Sequence, residues 1–536
     1  LNKNDEGKID IKNTVDLTHE RKPMAVLSAH RVANLARPMV DRDDLYTAAA
    51  GAQHRVTPVM PSVRRPNEYR DFARKVFERF LTPLEWDEII EFELYLTMCD
   101  KPQSWKQDKR LAHQERRKNF DVEAFYRTNS SFIKDEDYDT WKNARTINGT
   151  SKKGFRNDHL SWLSRMVKSC EKQIYDKLPG LVKGMTPARR MEAMQELGDF
   201  FPKTICDYSS YEASFKRKKM ECVQFELYRF MFSKMPDRED ILRGIRHVIG
   251  GKNKLDFKHF TWWAKARKMS GESDTALSNA IDNWVTWLYL LHKQGVDMEV
   301  ACRMIFVEGD DNASNLEGHK VRASEFEACG LKAKLEDGLD IEQTGFCQLY
   351  FTLPPTGVIC ADPWKKLLKF SKVPVRYARA SDRVLNSLLR AQALSMLYLH
   401  HGAPVVHALA RRLLYLTRGV NVRDDHWDKV LHYHDHKEEI RRMNWRDFVE
   451  QQVEVADRVL VERQFGMTIE MQLNIEKKLD SWGGGLLHLP VDWFPDVFSV
   501  FHDIYVSSSF EVGWFAPSGT SRQILIDHIH SLQRQP

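Results

Sequence analysis

Apolar positions recur at helical spacing in Tyr69–Phe80 and again in Trp86–Leu96, which predicts a mostly helical stretch from Arg64 to Leu96. The same periodicity predicts a helix over Asp274–His292, and nearly continuous helix from Asp382 to Leu479. Two short apolar runs behave differently, because each stops abruptly at an acid. Thr204-Ile205-Cys206 leads into Asp207, and Met304-Ile305-Phe306-Val307 leads into Glu308-Gly309-Asp310-Asp311. Both are expected to be short buried strands. A further strand pair is expected around Gly345-Phe346-Cys347-Gln348-Leu349-Tyr350-Phe351. Residues 1–22 are polar with little periodicity and read as an arm or linker, and from Trp482-Gly483-Gly484-Gly485 the chain becomes looser and aromatic. Strands and helices in the middle with helices at both ends suit an α+β core flanked by helical lobes.

Composition narrows the class. The 536 residues are 42% hydrophobic, too apolar for a disordered chain. At about 150 residues per domain they make three or four domains or one multi-lobed enzyme. With 81 basic and 75 acidic residues the net charge is only +6, so charge alone does not indicate a nucleic-acid partner. It does allow a basic groove beside acidic faces. Eight cysteines without a CxxC pair read as reduced thiols of a cytosolic protein. The most apolar stretch, Trp284–Leu291, is far too short to span a bilayer. No signal peptide is visible, and a start at Leu1 rather than Met is expected of a processed product, a trimmed chain or a piece of a longer one.

The acid-terminated runs are where chemistry enters. Nucleotidyl transfer needs two divalent metals about 3.5–4 Å apart, one at the attacking hydroxyl and one at the leaving pyrophosphate. Magnesium takes one or two carboxylates and completes its shell with phosphates and water. Aspartates at the ends of separate strands supply such ligands. Gly309 allows the tight turn that would project Asp310 and Asp311, and Asp207 would be the ligand of the second strand. Alone, a Gly-Asp-Asp arises in about one chain of this size in ten and is usually a plain turn, while a lone Asp207 would read as a turn or helix cap. The context is Ser270-Gly271-Glu272-Ser273-Asp274-Thr275, with Asn279 one helical turn beyond Thr275. Ser270-Gly271 would form a loop that lets backbone approach a nucleotide, and Asn279 could read a ribose 2′-hydroxyl. An ordinary capped helix explains Ser273 and Asp274 but not the whole pattern.

In that order, Asp207–Glu212, Ser270–Asn279 and Gly309-Asp310-Asp311, the chain resembles the RNA-dependent RNA polymerases of positive-strand RNA viruses. Phe346-Cys347 resembles that family's primer-grip hairpin. The stretch from Phe132-Ile133-Lys134 to Arg145-Thr146-Ile147 resembles its basic fingers motif. Asp207-Tyr208-Ser209-Ser210-Tyr211, Leu178-Pro179-Gly180, Lys332-Ala333-Lys334-Leu335-Glu336 and Arg463-Gln464-Phe465-Gly466-Met467-Thr468 look most like the nodavirus-like and tombusvirus-like groups.

The resemblance implies a right-hand fold: fingers at 1–195 and 232–268, mainly helical, a palm with an antiparallel sheet at 196–231 and 269–375, and a helical thumb at 376–536. It implies two Mg²⁺ or Mn²⁺ ions on Asp207, Asp310 and Asp311. Lys134, Lys142 and Arg145 would contact the triphosphate, and Glu212, Ser270, Gly271, Thr275 and Asn279 would bind the NTP. Lys332 or Lys334 would be a general acid, against a plain reading of both as a solvated strand edge. Template and product RNA and NTPs follow as partners, with other replicase segments and a host membrane in the cytoplasm, and no small-molecule cofactor. Glu212 departs from the family, which usually has Asp there. The extra methylene moves the carboxylate outward by about a bond and a half, which weakens its assignment to the ribose.

Two other functions compete. A reverse transcriptase also uses paired palm aspartates, but Glu308-Gly309 replaces its Tyr-x pair, and choice of rNTP over dNTP separates them. A non-catalytic RNA-binding scaffold would be free to lose the aspartates and would bind RNA without Mg²⁺. Several features are better read plainly. His426, His432, His434 and His436 suit a solvated helix and loop more than a zinc site. Trp482–Gly485 is a turn, with no Lys-Ser/Thr after it to make a phosphate loop. Val512-Gly513-Trp514-Phe515 is expected to pack on the thumb, or else stack on an initiating nucleotide. Lys216-Arg217-Lys218-Lys219, and the charged run Lys101–Asn119, read as solvated faces or as contacts to RNA phosphates.

Overall fold

Both acid-terminated runs form strands, and they share one sheet. The computed structural model describes residues 9–12, 25–27, 30–33, 48–49, 51–53, 58–99, 103–116, 127–133, 146–148, 157–198, 201–269, 274–353, 356–374, 377, 379–430 and 436–495. Its central sheet is fully antiparallel, in the order Ala333–Leu339, Lys203–Tyr208, Asp311–Asn315, Ile305–Glu308. The last two strands form a hairpin in which Glu308 pairs with Asp311, leaving Gly309 and Asp310 as the turn. Gly309 has φ +64°, a left-handed conformation that a side chain would strain. Beyond Ile305–Glu308 the sheet edge is covered by Leu178-Pro179-Gly180. The Val307 amide donates to the Gly180 carbonyl at 2.8 Å, and the Val182 amide donates to the Val307 carbonyl at 3.1 Å. A Cβ on Gly180 would lie 2.2 Å from the Ile305 carbonyl oxygen, so only glycine permits this approach.

One face of the sheet packs on the helix Thr275–His292, in which every residue from Leu277 to Leu291 is buried. A helix buried on all sides lies in the middle of a core, and its few polar side chains must find partners there. Trp284 anchors it by donating Nε1–H to the Pro179 carbonyl at 2.9 Å. The opposite face is covered by a smaller cluster: Phe306 and Ala313 of the sheet pack with Met191 and Met194 of the helix Pro187–Glu196 and with Phe346, Leu349 and Phe351. The sheet therefore lies in a three-layer sandwich, open at the end where the acids lie.

The N-terminal half departs from its mainly helical expectation. A five-stranded sheet runs Ile9–Ile11, Phe260–Lys265, Lys252–Asp256, Arg127–Ile133, Thr146–Asn148. The segment Ile9–Ile11, expected to be part of an arm, pairs antiparallel with Phe260–Trp262. Arg127–Ser130 pairs in parallel with Asn253–Asp256 across more than a hundred residues of chain, a contact that no local pattern announces. Toward the C terminus the expected helices are present, including Asp382–His400, Val406–Leu416, Val455–Phe465 and Ile469–Ser481 around a separate core. Arg463 ties them to the central sheet through Asp340 at 2.8 Å, and the Phe465 ring meets Tyr350 edge-on. All eight cysteines are free thiols. No helix among the described residues is long and apolar enough to cross a membrane.

Candidate active site

Strand register brings the acids together. Lys334 pairs with Asp207, and Ala313 pairs with Ile205. Carried two residues toward the turn, that second register sets Asp311 opposite Asp207, while Asp311 also pairs with Glu308. Paired residues share a face of a sheet. Lys334, Asp207, Asp311 and Glu308 thus form one row across all four strands, with Asp310 in the adjoining turn. Asp207, Asp310 and Asp311 are exposed to solvent. Asp311 is nevertheless crowded by protein on its other sides. This loss of water, and then the neighbouring charges of Asp310, Glu308 and Asp207, push its carboxyl up to about 6. Like charges held this close favour whatever neutralises them, a proton or a cation.

The donors are hard carboxylate oxygens, which suit Mg²⁺ or Mn²⁺ better than softer metals. Among the described residues no three His, Cys, Asp or Glu side chains already converge as a metal cage. Magnesium does not need one, since it binds through one or two carboxylates and takes the rest of its shell from substrate phosphates and water.

The turn is fixed from behind by a residue that the sequence motifs do not include. Asn283 donates Nδ2–H toward the carbonyls of Gly309, Asp310 and Asp311, at 3.3, 3.1 and 3.4 Å. Its Oδ1 accepts from the Tyr208 hydroxyl at 2.8 Å, which fixes the orientation of the amide. Thr275, Asn279 and Asn283 are spaced by four, so one stripe of the central helix bears all three. That spacing was the available signal for Asn283. Beside it, Asp282 is buried and ion-paired with Lys219 at 2.9 Å, and accepts from the Tyr211 hydroxyl at 2.9 Å. Lys219, read in the sequence as part of a solvated or RNA-facing basic run, is instead a core residue, 2% exposed.

Asn279 is buried, and its Oδ1 has no hydrogen-bond partner. A buried acceptor without a protein partner is open to a donor from water or from a ligand. Its carbonyl accepts from Tyr211 at 3.2 Å, which links the helix to the segment after Asp207. Glu212 is half-buried in the short helical turn Tyr211–Ser214, next to that contact. Thr275 opens the central helix and donates to the Met269 carbonyl at 2.6 Å. Lys332, just ahead of the strand Ala333–Leu339 and two residues before Lys334, is exposed, and its carbonyl accepts from the Ser209 amide. Lys134, Lys142, Arg145, Ser270 and Gly271 lie outside the described residues, as do His432, His434 and Val512–Phe515. Arg127–Ile133 and Thr146–Asn148, the strands on either side of 134–145, form an antiparallel pair, with Ile133 opposite Thr146. His426 is accounted for by packing, its Nδ1 lying 2.8 Å from the Ser387 hydroxyl.

Acids from adjacent strands, gathered at the open end of an antiparallel sheet and held by a buried helix, make a carboxylate site of the kind used in phosphate chemistry with divalent cations. A family model described as viral RNA-dependent RNA polymerase matches residues 27–484, and the chain belongs to that family. Comparison with curated proteins finds no significant match. The family match makes the chain an RNA-directed RNA polymerase, which implies an RNA template and NTP substrates and the divalent-metal dependence general to viral RNA-dependent RNA polymerases.

Proposed function

We propose that the chain replicates a viral RNA genome by two-metal nucleotidyl transfer at Asp207, Asp310 and Asp311. The observation that carries this reading is the row Lys334–Asp207–Asp311–Glu308 beside the Gly309–Asp310 turn, at the end of the central sheet where Asp207, Asp310 and Asp311 are exposed. In this reading the central sheet and its helix are the palm, the segments around the five-stranded sheet are the fingers, and the helices after Asp382 are the thumb. Asp207, Asp310 and Asp311 would hold the two Mg²⁺ or Mn²⁺ ions through their carboxylate oxygens. Bound there, the ions supply charge neutralisation at the α-phosphate and lower the pKa of the attacking hydroxyl.

The chain's own residues do the rest. Asn283 and Tyr208 hold the turn so that the carboxylates are set before substrate arrives. The unsatisfied Oδ1 of Asn279 accepts from the ribose 2′-hydroxyl, which selects NTPs over dNTPs. Thr275, Ser270 and Gly271 shape the nucleotide's floor, and Glu212 supports the ribose side. Lys134, Lys142 and Arg145 offset triphosphate charge, and Lys332 or Lys334 protonates the departing pyrophosphate. Work at cytoplasmic host membranes, with other replicase segments, completes the proposal.

The test is nucleotide incorporation on an RNA template, primed and unprimed, comparing the parent with Asp310→Ala. Template-dependent RNA from the parent and a loss of at least about 10³-fold in the variant support the reading. Equal rates from both refute the metal assignment. RNA binding without Mg²⁺ and without product from either would favour the scaffold function.

A further inference from the structure

Glu308 is a fourth carboxylate in the row, and none of the chemistry above uses it. It pairs with Asp311 across the hairpin and so faces the same side as the metal-binding acids. Left alone, it would compete with them for cations. It is not left alone. Arg190, on the helix Pro187–Glu196, brings Nη1 to 2.6 Å from Glu308 Oε2, an ion pair whose angle is off the line of a hydrogen bond. Arg190 is 4% exposed and Glu308 27%, so the pair is largely shielded from water and its charges are weakly screened. The Cys347 thiol donates to the same Glu308 oxygen at 3.6 Å.

Cys347 is held there by an unusual turn. Phe346 and Leu349 pair with each other, leaving Cys347 and Gln348 as a two-residue turn with φ of +54° and +60°. Such turns normally take Asn and Gly, and two ordinary side chains in this region are strained. Strain of this kind persists where the surroundings fix it, and here it sets the thiol against Glu308.

We propose that Arg190 and Cys347 are positioning residues that keep Glu308 out of the metal shell. Arg190 offsets the charge of Glu308, and the Cys347 thiol holds the same carboxylate oxygen by donating to it, so that Asp207, Asp310 and Asp311 are left to present to cations. The inference rests on the metal site proposed above. It makes a prediction in opposite directions. Glu308→Gln removes one negative charge from beside the acids while Arg190 keeps its positive charge, and weakens cation binding by about three- to tenfold. Arg190→Met releases Glu308, tightens cation binding by a similar factor, and recruits a wrong ligand that lowers turnover. The double variant restores both charges to balance and returns binding to near the parent value.

The experiment is a Mn²⁺ titration of the purified chain, with free ion followed by electron paramagnetic resonance and each variant's fold checked by its melting transition. Opposite shifts in the single variants and recovery in the double variant support the inference, since simple damage to the fold cannot be undone by a second substitution. Shifts in the same direction, additive losses, no shift, or a parent that binds no Mn²⁺ overturn it. If Arg190→Met does not fold, Arg190→Gln takes its place, and an unchanged affinity there overturns it. Template-directed incorporation is measured separately. An inactive parent that still binds Mn²⁺ counts against the polymerase mechanism, whereas an active parent with unshifted variants counts against this pair.

Discussion

Replacing Asn283 by Asp keeps the size of the side chain and the acceptor for Tyr208, but exchanges an amide donor for a second carboxylate oxygen. In the native chain that donor faces three carbonyls at 3.1–3.4 Å. Two N–H bonds shared among three long contacts amount to about two weak hydrogen bonds, roughly 1–3 kcal/mol together. The variant adds the cost of an oxygen facing oxygens, about 1–3 kcal/mol and more if it is charged. A total near 3 kcal/mol falls on the turn that carries Asp310. The expected result is a clearly lower urea midpoint. A misplacement of about 1 Å in the carboxylates would also cut single-nucleotide incorporation by about a hundredfold. Both are measured on the same preparation. An Asn283→Asp chain that matches the parent in midpoint, and within twofold in rate, would refute the clamp.

Gly180→Ala puts a Cβ 2.2 Å from the Ile305 carbonyl oxygen at φ +82°, and should cost about 3 kcal/mol or more, read as a fall in melting temperature; an unchanged melt would show that the sheet edge can give way. Lys219→Met strands Asp282 in the core and should destabilise by about 3–5 kcal/mol in urea unfolding, with much of it recovered in Lys219→Met/Asp282→Asn; a small loss would mean that water reaches the pair. The pH dependence follows from Asp311. Its raised carboxyl pKa means that the fold favours the neutral form, so the metal-free chain loses stability as pH rises from the ordinary carboxylate range to about 6, and changes little beyond. Cation binding needs the ionised form, so Mn²⁺ affinity should fall below about pH 6, approaching tenfold per unit, and level off above it. A flat affinity between about pH 5 and 7 would contradict the crowding of these acids.

What the sequence disclosed was governed by how local each cause is. Met304–Val307 and the Gly309 turn are adjacent in the chain, so strand, turn and acids could be read together, and Ile305–Glu308 and Asp311–Asn315 follow that reading. The helix Thr275–His292 and the helices after Asp382 declare themselves through their own periodicity. The five-stranded sheet does not. Lys252–Asp256 reads Lys-Asn-Lys-Leu-Asp, mostly polar, and becomes a strand because Arg127–Ser130 and Phe260–Lys265 lie on either side of it. The same limit applied in the site. Lys219 and Arg190 look like surface cations along the chain, and only the fold supplies the acids that pull them inward.

Asn283 grips carbonyl oxygens, and every amino acid has one. The turn is therefore held by its main chain and is indifferent to the side chains it displays. Disarming the chain at Asp310 or Asp311 should leave the scaffold intact. Such a variant would be a catalytically silent but properly shaped trap, suited to holding template and nucleotide together at the step that the parent passes through too quickly to observe.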